Sequence, residues 1–129
     1  MFGSISLRQL LAADGAMCLV AGAGLLAAAG VLAEFLALPP ALLFEAGLIL
    51  APWGVFVLWC ASRAAPGRRA VLTVVVVNAL WAAGSVALLG WLAPNALGIA
   101  FVLVQAAASA GFAVLQARAL PPAVRLQAA

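Results

Sequence analysis

The chain has no histidine, no tyrosine and no lysine, and only 7% of its 129 residues are charged. Each absence closes off some chemistry. Without histidine no Ser–His or Cys–His nucleophile can be assembled, and haem loses its commonest axial ligand. The two cysteines, Cys18 and Cys60, are isolated and make no metal site of ordinary spacing. The residues therefore point to no catalytic group, no metal and no cofactor. A nucleotide loop is missing as well: Gly22-Ala23-Gly24 lies inside an apolar run and lacks the next glycine of the fingerprint.

What the chain has instead is hydrocarbon. Hydrophobic residues make up 69% of it, against about 45–50% in a soluble domain. That leaves too little polar surface to disperse even one globule in water. Lipid must be the solvent for most of this surface. A membrane-crossing helix needs about 20 apolar residues at about 1.5 Å each, and the chain divides into four such segments. They run roughly over residues 10–33, 41–61, 70–92 and 96–117. Little remains outside them, so residues 1–129 are read as one integral membrane domain. The fold class expected is an all-α membrane protein, a four-transmembrane-helix bundle.

The boundaries have local causes. Proline lacks an N–H and restricts the residue before it, so Leu38-Pro39-Pro40 breaks the chain and Pro40 can open the second helix. Ser62 to Arg69 forms a polar turn, and Asn95 in Ala93-Pro94-Asn95 is a plausible N-cap for the fourth helix. Arg118 and Pro121-Pro122 end it. The β-branched run Val71 to Val77 reads as helix, because a lone strand in lipid leaves its backbone unpaired. A transmembrane β-barrel is excluded by the lack of apolar–polar alternation. The first segment exceeds the usual signal-peptide core and contains Asp14, so it is expected to stay attached.

Arginine placement sets the orientation. Arg8, Arg63, Arg68, Arg69, Arg118 and Arg125 all fall on one side of a four-pass bundle, while the opposite turns carry only Glu34 and Glu45. Cytoplasmic loops hold the Lys/Arg excess, so both termini are expected in the cytoplasm (N-in/C-in), in a bacterial inner membrane. The partners expected are the lipid bilayer and a second copy or another membrane protein. Nucleic acid is not expected, because the arginines are few and flank hydrophobic segments.

Four residues form the candidate intramembrane polar site: Asp14, Asn78, Gln105 and Ser109. An acid within a membrane helix is costly against lipid and is a functional candidate by default. Asp14 shares a face with Cys18 and Gly22 by i, i+4 spacing. Two readings of it stand: a proton or ligand site, or an acid paired near the headgroups with Arg8 or Gln116. Asn78, Trp81 and Ser85 share one face of the third helix, and Gln105, Ser109 and Gln116 share one face of the fourth. Counting helix rise from the ends puts Asn78 level with Ser109, so those two are expected to meet or to bracket a pocket with Gln105.

Four further residues bear on packing. Gly22 and Gly111 sit in small-residue stretches that draw helices together. Pro52 interrupts the second helix and is expected to bend it, and Trp81 is expected to pack between helices. Helix rise separates Cys18 from Cys60 by about 10 Å, beyond the about 7 Å a disulfide spans. With no catalytic constellation, the expected function is a non-enzymatic structural or accessory subunit, binding through small-residue faces. A small oligomeric transporter or channel is the alternative, and a membrane enzyme or redox protein the next. Four slim helices are expected to pack tightly and leave little lumen, keeping Ser85, Gln105 and Ser109 from water.

Overall fold

The computed structural model describes residues 5–121. Four helices follow one another: α1 Leu7–Leu36, α2 Pro40–Ser62, α3 Arg68–Leu88 and α4 Ala96–Ala119. All four are long and apolar enough to cross a membrane. Pro122 and Arg125, read above as a helix stop and a topology signal, lie outside the described residues.

Local chemistry explains where the ends differ from expectation. α1 begins earlier because Ser6 and Gln9 form a capping box: Gln9 N–H donates to Ser6 Oγ at 3.1 Å, and Ser6 N–H donates to Gln9 Oε1 at 2.9 Å. It ends on Ala37 in the left-handed region, at φ 54° and ψ 46°, with Leu38 N–H reaching back to the Ala33 carbonyl. Pro39 and Pro40 stand just beyond, and Pro40 opens α2 as expected. α3 stops at Leu88, short of residue 92, because Leu89, Gly90 and Trp91 each donate to a carbonyl three residues back and tighten the chain into a turn. Asn95 caps α4 by accepting from Gly98 N–H at 2.8 Å. It also donates from Nδ2 to the Phe35 carbonyl at 2.8 Å, stitching the start of α4 to the end of α1.

Pro52 does not end α2. α2 runs as one helix from Pro40 to Ser62 with Pro52 inside it. The non-helical residue is Ala28 of α1, at φ −128° and ψ 21°.

α1 and α2 pack as one tight hairpin and α3 and α4 as another; α1 also meets α4, whereas α2 and α3 barely touch. Glycine sets the closeness of the first hairpin. A Cβ on Gly22 would lie 2.8 Å from the Ala51 nitrogen, and one on Gly54 would lie 2.9 Å from the Gly15 carbonyl oxygen. Gly15 pairs with Gly54 and Gly22 with Gly47, so two glycines seven apart on α1 mesh with two seven apart on α2. Gly22 thus has its expected packing role. Nothing stands within 4 Å of a Cβ built on Gly111, so among the described residues it is not packed against this chain's own helices.

Two apolar layers lie toward the bundle's ends. At the end that carries the arginines, Leu11 packs with Val57, Cys60 and Ala61 of α2 and Val71 and Val74 of α3. At the far end, Leu25, Ala33, Leu36, Leu38, Leu43 and Val102 form the second layer. Arg8, Arg63, Arg68, Arg69 and Arg118 all lie in the first or last turn of a helix or its cap, on one end of the antiparallel bundle. Arg63 rests over the Trp59 ring, 5.2 Å from its centroid.

Candidate functional site: a polar cluster beneath an apolar cleft

Asp14, Asn78 and Gln116 come from three helices and meet in the interior, with exposures of 3%, 4% and 0%. Asn78 Nδ2 donates to Asp14 Oδ2 at 2.8 Å, and Gln116 Nε2 donates to the same oxygen at 2.8 Å. Asn78 Nδ2 also approaches Gln116 Oε1 at 3.3 Å. The Cys18 thiol, one turn along from Asp14, donates to Oδ1 at 3.6 Å. Among the described residues no arginine takes part: Arg8 donates to the Ala61 carbonyl at 3.0 Å and Arg68 to the Pro121 carbonyl at 2.9 Å. Of the two pairings considered for Asp14, Gln116 is the one formed and Arg8 is not. The partner expected for Asn78, Ser109, is replaced by Gln116 and Asp14.

That last difference has a geometric cause. Depth counted on backbone positions puts Asn78 level with Ser109, but side chains lean toward their own helix's N-terminus. α3 and α4 run antiparallel, so Asn78 leans toward the arginine end and Gln116 leans away from it. The two long amides close the gap, and the short Ser109 hydroxyl cannot.

A second polar pair sits further from the arginine end. Trp81 Nε1 donates to Gln105 Oε1 at 2.7 Å, and Gln105 Nε2 donates to the Val102 carbonyl at 2.9 Å. Ser85 Oγ donates back to the Trp81 carbonyl at 2.6 Å. Trp81 therefore packs between helices as expected and also holds Gln105 in place. Among the described residues no buried side-chain nitrogen or oxygen lacks a hydrogen-bond partner, as a hydrocarbon surrounding demands.

Compared with protein-family models, with curated proteins and with solved structures, the chain matches none. The site must be understood from its own geometry.

Between the two hairpins lies a cavity of about 840 Å³. The expectation of tight packing with little lumen is therefore not met. The reason is the splay of the helices: α2 and α3 touch through the Val57–Val74 layer at the arginine end and diverge beyond it. Leu42, Ala46 and Ile49 of α2 then face Leu80, Gly84 and Leu88 of α3 across an open gap. Gln105 and Ser109, the two site residues outside the cluster, both line this cleft, as do Trp81 and Ser85. Asp14 and Cys18 line its floor. Glu45 also borders it; it is exposed and lies past the first turn of α2. Cys60 is buried in the arginine-end layer, and both cysteines are free.

The sequence carried some of this. Asp14, Asn78, Trp81, Ser85, Gln105 and Gln116 were each marked by being polar or indole-bearing in apolar helices, and all turn inward. The Gly47–Gly54 pair was missed, although its seven-residue spacing repeats that of Gly15–Gly22. No local signal announces the cleft, because it results from helix splay.

Proposed function

We propose that this is a four-pass protein of a bacterial inner membrane, with both termini in the cytoplasm, that binds and carries a small amphipathic molecule. The cleft is the observation that carries this reading. Its volume falls within the about 300–1,000 Å³ of small-molecule sites. Its walls are aliphatic and aromatic, with a few placed hydrogen-bonding groups at Trp81, Ser85, Gln105 and Ser109. Such a lining suits a molecule with a long apolar body and a polar group. The gap between α2 and α3 supports entry sideways from the bilayer.

Thiol labelling tests it. Single cysteines at Ser85, Gln105 and Ser109, in a background lacking Cys18 and Cys60, should react with a small membrane-impermeant reagent. A cysteine at Leu103, which is 45% exposed on α4 and does not line the cleft, should not, because lipid covers that surface. Silence at all three cleft positions would sink the carrier reading.

Orientation is tested separately. Reporters fused after Gln127 should be active only as cytoplasmic reporters, and those inserted in the Glu34–Pro40 turn only as exported ones. The one-sided arginines motivate this; export of the carboxyl-terminal fusion would reverse the topology.

The structural or accessory-subunit reading keeps one observation in its favour. Gly30 and Gly111 have nothing within 4 Å of a Cβ position and do not line the cleft. Small residues left uncovered by the fold are where another membrane helix could approach closely.

A further inference from the structure

The floor of the cleft is chemically unlike its walls. Asp14 is 3% exposed, yet it borders the cavity. Its two oxygens are held unequally. Oδ2 accepts from Asn78 and Gln116, both at 2.8 Å, whereas Oδ1 has only the Cys18 thiol at 3.6 Å. A thiol is a weak donor. All three donors are neutral, and Arg8 is spent on the Ala61 carbonyl. A carboxylate taken out of water needs more than neutral dipoles to offset its lost hydration.

We propose that the cleft takes an amphipathic cation, whose ammonium-type head sits at Asp14 Oδ1 and whose apolar body lies along the gap between α2 and α3. This rests on the reading of the cleft as a binding site and names the class of molecule it selects. Charge complementarity is the argument: Asp14 lies at the cavity floor and Glu45 at its border, with no basic side chain lining the cavity among the described residues. Trp81, Phe101 and Phe112 are among the walls, and aromatic faces attract cations, more so when water is excluded. An anionic amphiphile would meet repulsion from Asp14. A bare hard cation is a poor fit, because it wants about six or more oxygen ligands, and the described residues hold no group of three or more acids, cysteines or histidines.

The experiment uses the full chain in phosphatidylcholine nanodiscs, with Trp53, Trp59 and Trp91 changed to phenylalanine so that Trp81 alone reports. Three amphiphiles of one chain length are titrated: decyltrimethylammonium, decyl sulfate and decanol. The cation should give a saturable change in Trp81 emission at a concentration at least tenfold lower than the other two. Asp14→Asn should erase that preference while keeping the fold, because the new amide oxygen can still accept from Asn78 and Gln116. Cys18→Ala, which uncovers Oδ1 and leaves the acid, should hold or raise the affinity for the cation. Equal response to all three amphiphiles would overturn the cation inference and leave the cleft reading standing. The same holds for a cation preference that survives Asp14→Asn, or a tenfold loss of cation affinity in Cys18→Ala. No saturable response to any of them would remove both.

Discussion

Gln116→Leu should destabilise the protein by about 1.5–3 kcal/mol, the range for losing a hydrogen bond to a charged acceptor, read as a lower unfolding temperature in detergent. Interhelical hydrogen bonds in membranes average only about 0.6 kcal/mol, with a maximum of about 1.7. Two features place this one at or above the upper end. Its acceptor is a carboxylate, and Gln116 is 0% exposed, so neither water nor lipid headgroups can replace the lost donor. Leucine also leaves Asn78 with one partner fewer, since Nδ2 approaches Gln116 Oε1 at 3.3 Å. Asn78→Leu should cost a similar amount. Because both amides serve the same Asp14 oxygen, the double variant should depart from additivity by at least about 0.5 kcal/mol. Strict additivity, or a single-variant loss below about 0.5 kcal/mol, would mean the cluster is not the unit that joins α1 to the α3–α4 hairpin.

That cluster also marks how far the sequence could be read. Hydropathy and proline placement located all four helices, and Asn95 was recognisable as a cap because its side chain precedes an apolar run. Asp14 had to turn inward, since lipid would not tolerate it. The pairing between polar residues was less accessible. It depends on the direction in which side chains leave antiparallel helices, and counting residues from helix ends ignores that lean. The break in α1 was also out of reach. Position 28 is an alanine among alanines, with Gly30 two residues on, and alanine is the strongest helix former, so nothing at the position itself marks a break. The cleft was hardest of all. A helix's own sequence says which face is apolar, but the angle between two hairpins depends on how closely each one closes on itself.

Closure of the α1–α2 hairpin is therefore where the second large effect is expected. Gly22→Ala and Gly54→Ala should each destabilise the protein by about 1–3 kcal/mol, the usual range for overpacking. The obstacle in both cases is backbone: the Ala51 nitrogen at 2.8 Å from a Gly22 Cβ, and the Gly15 carbonyl oxygen and Leu19 nitrogen at 2.9 Å from a Gly54 Cβ. A flexible side chain could rotate away, but a neighbouring helix backbone can yield only by moving the whole helix. Gly111→Ala provides the contrast, since it meets open space and alanine favours helix over glycine by up to about 1 kcal/mol. It should be neutral or mildly stabilising. The same displacement should reach the cleft, because α1 carries Asp14 on the turn next to Gly15. In Gly22→Ala and Gly54→Ala the reactivity of a cysteine at Ser109 should therefore change, while Gly111→Ala leaves it alone. Equal unfolding temperatures across the three variants would show that glycine does not set the hairpin's spacing. A loss confined to Gly111→Ala would instead place a partner helix on that face and favour the accessory-subunit reading.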